Sequence, residues 1–260
     1  MIDLRRKLHN FTHPMLGRIL MLHRVVEHRS DAPSQRELEV TPDFLEKTIL
    51  DYRQKGYTFI SIDELSSLLT THYSLSTKKN ICLTFDDGYQ DNHDIAYPLL
   101  KRLEVPFAVY VTTGFIDNRL PMWWYRCESR EQCQPCLSNA EVQQRERSYH
   151  GEQLGISFES LKSLDAEPLC TIGVHTVSHP RLDTLSFDDQ QKEIIQSHQE
   201  LEALLGHPVH HFSYPHGAYN ADTLTIVKQQ SFRTALCAWG GTVRRGATPL
   251  TLPRIELRQP

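Results

Sequence analysis

The apolar run Ile81-Cys82-Leu83-Thr84-Phe85, followed at once by Asp86-Asp87-Gly88-Tyr89, constrains the fold more than any other stretch of this chain. A short run of this kind reads as a strand buried in a parallel sheet, and Gly88 permits the tight turn that follows. Asp86 and Asp87 therefore stand at a strand's carboxyl end. In α/β sheets and barrels, that edge is where ligands bind and catalytic side chains collect. Neighbours on extended backbone point in different directions, so one carboxylate can bind a cation while the other remains a base. The same letters also spell ordinary turn chemistry, with Asp91 available to cap the next helix.

The rest of the chain repeats the pattern of strand, polar strand end and helix. Gly17 to Val26 is an apolar run that delivers His23, either as a site residue or as a histidine bonded to backbone. Thr41 and Pro42 open a helix to about Lys55, with Phe44, Leu45, Ile49 and Tyr52 on one stripe. Tyr57 to Ile60 is a strand, and Ser61 or Asp63 caps the short helix after it. Asp91 to Glu104 is helical with a break at Pro98, and Phe107 to Val111 completes a strand-helix-strand unit. Further strands are predicted at Cys170–Val174, His211–Tyr214, Thr234–Ala238 and Leu252–Leu257. Ser186 to Gly206 is one amphipathic helix with His198 on its polar face.

These elements fit one α/β domain over residues 1–260, with 39% hydrophobic residues to fill its core. The polar stretch at about 115–155 is an insertion. It holds Trp123, Trp124 and Tyr125, which either lean over a substrate or pack against the domain wall. It also holds Cys127, Cys133 and Cys136, which would need a remote fourth ligand such as His150 or Cys170 to close a structural zinc site. The net charge of −4, with 28 basic residues scattered among 32 acids, argues against a nucleic-acid partner. The apolar stretch Ile19 to Leu22 is too short for a signal core or a membrane span, so the expectation is a cytoplasmic protein with no integral membrane segment and reduced thiols.

Two further strand ends carry chemistry. HTVSH places His175 and His179 four residues apart, a spacing that on a helical turn brings both imidazoles to one cation. FSYPHGAY, Phe212 to Tyr219, crowds a glycine turn with aromatic and polar groups. Taken together, TFDDGY, HTVSH and FSYPHGAY resemble the motifs of the polysaccharide deacetylase family, the carbohydrate esterases with a NodB-like domain. The resemblance implies a distorted (β/α) barrel of about seven parallel strands and hydrolysis of N-acetyl groups on an amino sugar. It implies Asp86 as catalytic base and Asp87, His175 and His179 as ligands of a divalent metal, zinc first, with Co2+, Ni2+ or Mn2+ compatible. Tyr214, Pro215 and His216 become the substrate and oxyanion contacts.

The sequence departs from the family pattern twice. Ser213 stands where an Arg that orients the base is expected, and Arg254 in LPRIEL is a candidate replacement. No histidine follows His216 to supply the usual general acid, but ILMLHRV near the start is similar to members whose motif order is circularly permuted, which makes His23 the acid. The family's Asp-Trp motif has no clear counterpart, leaving Trp239 as a remnant or a core residue. Two other readings stay open: a metal-dependent amidase acting on a non-carbohydrate amide, and a catalytically silent carbohydrate-binding barrel.

Overall fold

A computed structural model describes residues 14–70, 79–126 and 153–260. Cys127, Cys133, Cys136 and His150 lie outside the described residues, as does most of the insertion. Among the described residues, eleven strands follow in chain order: β1 (Met15–Leu22), β2 (Arg24–Val25), β3 (Glu39–Val40), β4 (Tyr57–Phe59), β5 (Lys79–Phe85), β6 (Phe107–Val111), β7 (Cys170–Val174), β8 (His211–Ser213), β9 (Thr234–Gly240), β10 (Thr242–Arg244) and β11 (Leu252–Glu256).

Seven of them form the ring β1-β5-β6-β7-β8-β9-β11, every neighbour parallel, and β1 closes it by pairing with both β5 and β11. The first barrel strand in the sequence thus lies between the second and the last. β10 runs antiparallel along β1, and β2 pairs only with β3. The predicted Tyr57 strand exists as β4, but it flanks β5 outside the ring.

Period-two alternation divides the apolar residues into two layers. Ile19, Cys82, Ala108, Tyr110, Leu236 and Leu252 share one cluster inside the barrel, while Leu83, Val109, Val174 and Phe212 pack outward against helix residues such as Leu45, Leu100, Leu161, Leu201 and Ile226. Gly173 makes room for Tyr110, because a Cβ at that position would lie 2.5 Å from the Tyr110 ring. Ile62 and Leu65 join the inner cluster, so the helix Ile62–Thr70 closes the end opposite the site. Among the described residues, no helix is long and apolar enough to cross a membrane.

Two predicted helices carry a π turn. After Asn92–Ala96 the chain resumes α geometry at Tyr97–Arg102, and Pro98, which has no N–H to donate, sits at the junction. The run after Ser186 comprises Phe187–Gln191, a π turn at Lys192–Gln196 and Ser197–Leu205, with Ser186 accepting from Asp189 N–H as its cap. Thr41 and Ser61 also cap as expected. Asp91 does not, since its carboxylate takes Arg24 Nε at 2.7 Å and Val25 N–H at 3.1 Å instead. Nor is His198 on a polar face. It is buried, with Nε2 2.9 Å from the Val209 carbonyl and its ring 4.4 Å from that of Phe232.

Candidate active site

The carboxyl ends of β1, β5, β7, β8, β9 and β11 open on one cavity of about 560 Å³. Asp86, Asp87, His175, His179, His23, Tyr214 and His216 all line it, so the geometry brings together every predicted site residue except Pro215, which is buried in its turn.

Asp86 and Asp87 leave β5 in different directions. Asp87 adopts φ 74° and Gly88 φ 77°, two consecutive left-handed residues that swing the first carboxylate into the barrel mouth and the second towards β7. Asp86 meets Arg254 of β11 in a bidentate pair, Nη1–Oδ1 2.7 Å and Nη2–Oδ2 2.6 Å. The guanidinium is itself aimed by the Cys237 carbonyl at 2.8 Å and Ser213 Oγ at 2.9 Å. Ser213 also donates to Asp86 Oδ2 at 3.3 Å, so the residue at the expected Arg position joins the same network. Burial alone would raise the Asp86 carboxyl, but the charges of Arg254 and His175 and the Arg254 hydrogen bonds hold it down at about 2.

Asp87, His175 and His179 present three ligand atoms within 4.8 Å of one another, all buried. The two histidines are not on a helical turn, as their spacing suggested. They flank an irregular loop in which Thr176 has φ 66° and His179 φ 62°, and this loop returns the second imidazole towards the first, with ring centroids 4.9 Å apart. Asp87 Oδ1 lies 3.4 Å from His175 Nε2 and 3.3 Å from His179 Nε2, yet this buried oxygen accepts no hydrogen bond. A carboxylate oxygen orphaned between two imidazoles fits a cation between them. His175 Nδ1 sits 2.8 Å from the Ser213 carbonyl; donating there leaves Nε2 free to ligate, a common support for a metal-binding imidazole. Burial opposes charge on His175, but the Asp86 and Asp87 carboxylates outweigh it and raise the imidazole. His179 is pushed well down by burial and by the His216, His175 and His23 rings.

The loop's middle is clamped from the π turn. Glu193 accepts from Val177 N–H and Ser178 N–H, both at 2.9 Å, and from Ser178 Oγ at 2.6 Å. On the opposite side, Asn92 donates to the His23 carbonyl at 2.9 Å, and Arg24 is tied to Asp91, so both flanks of the His23 backbone are fixed. In the third motif, Tyr214 N–H bonds the Leu236 carbonyl and Gly217 N–H returns to the Tyr214 carbonyl, lifting His216 to the tip with φ 56°. The Tyr214 hydroxyl is committed to the Leu250 carbonyl at 2.8 Å, so it offers the cavity its ring and backbone.

Residues 75–235 match the family model described as polysaccharide deacetylase. The chain belongs to the polysaccharide deacetylase family. Its members are hydrolases of amide bonds and are generally metal-dependent, and the Asp87–His175–His179 cluster gives this polysaccharide deacetylase a place for such an ion. YxkH of Bacillus subtilis, whose name puts it among the polysaccharide deacetylases, is 25% identical over 239 residues, covering 92% of this chain and 70% of the relative. The fold is shared with the Streptococcus pyogenes deacetylase PplD, solved in complex with acetate, at TM-score 0.73 and 24% identity over 93% of this chain and 92% of that one. It is shared too with IcaB from Ammonifex degensii, at TM-score 0.72 and 22% identity over 93% and 91% of the two chains.

Arg254, a candidate in the sequence, is the arginine that orients Asp86, whereas Glu193, Ser34, Leu38, Arg181 and Glu256 carry no motif of their own, although the last four line the cavity. A signal for Arg254 was present: Leu252, Arg254 and Glu256 alternate along one strand, which points a charge to the same face as Leu252 of the inner cluster. Trp123 and Trp124 lean over the cavity, and Trp239, half-exposed at its rim, belongs to no core.

Proposed function

We propose that this deacetylase hydrolyses N-acetyl groups on an amino sugar of a glycan or glycan precursor, using a divalent cation held by Asp87, His175 and His179. The donor set of one carboxylate and two imidazoles suits zinc and is compatible with Co2+, Ni2+ or Mn2+. The carrying observation is the division of labour between adjacent carboxylates: Asp86 is held ionised by Arg254, while the Asp87 oxygen stands orphaned between two imidazoles.

When bound, the cation supplies Lewis-acid chemistry, polarising the acetamide carbonyl and lowering the pKa of water. Asp86 accepts a proton from the attacking water, and Arg254 keeps that carboxylate aimed and charged. The His216 backbone N–H, at the tip of the third-motif turn, stabilises the oxyanion. His23, protonated, gives its proton to the departing amine as the C–N bond breaks, leaving acetate and a free amino sugar. The position of His23 supports that role, because it lines the same cavity as Asp86, Asp87, His175 and His179.

The cation cage beside the Arg254-held Asp86 favours catalysis over a silent binding barrel, since it sets a Lewis acid and a base side by side. The test is metal content by mass spectrometry together with acetate release from a panel of N-acetylated sugars and simple N-acetyl amides. Metal with release from sugars is expected. Release from the simple amides alone would make the chain an amidase, and neither metal nor release would make it a binding barrel.

A further inference from the structure

The two imidazoles of the cation cage are supported in different ways. His175 directs its outer nitrogen to the Ser213 carbonyl at 2.8 Å. His179 has no such bond, because its buried Nδ1 meets no hydrogen-bonding partner among the described residues. Its backbone is fixed, with the N–H donating to Thr176 Oγ1 at 3.1 Å, but that contact does not set the rotamer of the ring. A metal-binding histidine is ordinarily oriented by a hydrogen bond at its second nitrogen. Another contact has to orient this one.

The surroundings of the His179 ring are aromatic. Its centroid lies 4.7 Å from that of His216, 4.9 Å from His175 and 4.9 Å from Trp124. His175 is a fellow ligand and His216 belongs to the third-motif turn, so Trp124 is the neighbour supplied from outside the motifs. Its indole is anchored on two sides: Nε1 donates to the Tyr89 hydroxyl at 2.9 Å, and the ring meets Phe115 edge-on at 5.4 Å. Tyr89, Phe115 and Met122 make a small buried cluster of their own, against which Trp124, Leu120 and Leu154 pack. Tyr89 closes the TFDDGY motif, and the Arg24 guanidinium lies over its ring at 5.1 Å. One buried phenol thus ties the strand end that carries Asp87 to the indole that rests on His179. Packing of this density fixes a ring by shape, since a rigid neighbour leaves it no room to swing. We propose that Trp124 is a positioning residue for the metal ligand His179, held in place by the Tyr89 hydroxyl, and that ring packing does here what a hydrogen bond at Nδ1 does elsewhere. This rests on the reading that Asp87, His175 and His179 hold a divalent cation. It also makes the start of the insertion a part of the cage.

The probe is Zn2+ alone, with its Kd measured on the full chain by competition with a chelator. Trp124→Ala should raise the Kd about 10–100-fold, the range for outer supports of a metal ligand. Trp124→Phe keeps a ring without the N–H and should recover part of the loss, and Tyr89→Phe, which frees the indole but keeps the small core, should weaken binding less than Trp124→Ala does. Visible absorption of the Co2+-loaded proteins reports ligand geometry directly; its bands should shift in Trp124→Ala and move back towards wild type in Trp124→Phe. A folded Trp124→Ala protein with the wild-type Kd and the wild-type Co2+ spectrum overturns the positioning role and leaves the cation site standing. Should Trp124→Ala fail to fold, the same two readouts on Trp124→Phe and Tyr89→Phe decide, and wild-type values in both overturn the role. A wild-type protein that binds no Zn2+ overturns the cage and the positioning role together.

Discussion

Arg254 and Asp86 lie 168 positions apart in the chain and meet through two short parallel hydrogen bonds inside the barrel. The guanidinium is wholly buried, and it opposes the effect of burial on the carboxylate. Removing the arginine as Arg254→Met leaves a buried charge unpaired, which costs roughly 3–5 kcal/mol of stability. Burial then dominates and raises the Asp86 carboxyl, so the acid limb of the kcat/KM profile should move to higher pH. A profile that keeps its wild-type acid limb in a folded variant would contradict the assignment.

Asp86→Asn and Asp87→Ala should separate base from ligand. The first is expected to retain metal while acetate release falls about 10²–10⁴-fold, the range for positioned acid–base groups. The second should lose the metal. Equilibrium dialysis against Zn2+, alongside an acetate assay, reads both; metal lost from both variants would mean that the carboxylates share one task.

His23→Ala tests the general acid. Its kcat should fall by about 10²–10⁴-fold with metal content unchanged, and the loss should shrink for an activated acetanilide whose leaving amine needs little help. Equal losses on both substrates would return His23 to a structural role.

Glu193 touches no predicted ligand side chain, yet it fixes the backbone between His175 and His179. Outer supports of this kind are worth about 10–100-fold in metal affinity. Glu193→Ala should weaken Zn2+ binding by that factor in competition with a chelator, and an unchanged affinity would show that the loop holds its shape unaided.

At the opposite end of the barrel Asp63 accepts from His211 Nε2 at 3.1 Å and Arg233 Nη1 at 3.2 Å. The His211 hydrogen bond outweighs burial and lowers the Asp63 carboxyl. Its contribution to stability is therefore full above the ordinary carboxylate pKa of about 3.9 and fades as pH falls through the lower folded value. Asp63→Asn should cost about 1 kcal/mol at pH 7, since the group is half-exposed, and the gap to wild type should narrow below about pH 4. Thermal melts across that range supply the comparison.

Strand ends were the legible part of this chain. Short apolar runs followed by TFDDGY, HTVSH and FSYPHGAY marked both the barrel and the residues that meet in its mouth, because period-two burial and turn chemistry are local. What stayed hidden depends on closure. The helical reading of HTVSH failed because two left-handed residues, Thr176 and His179, replace a turn that spacing alone suggested. The burial of His198 followed from where Phe232 and Val209 pack, which no periodicity of its own helix encodes. Arg254 could be seen as a charge within a strand and as a candidate to orient Asp86, but the pairing is fixed only by the place of β11 beside β1 and β9.

That placement has a consequence for how the enzyme is made. His23 comes from the first strand of the ring and the partner of Asp86 from the last, and β1 is seated between β5 and β11. Until β11 docks, Asp86 lacks its arginine and the wall carrying Trp239 lacks its neighbour. Such distant pairings form late in folding. A ribosome-bound chain that lacks β11 can hold all three cage residues, Asp87, His175 and His179, and still lack the arginine that aims Asp86, so full activity would begin only when the last strand closes the ring.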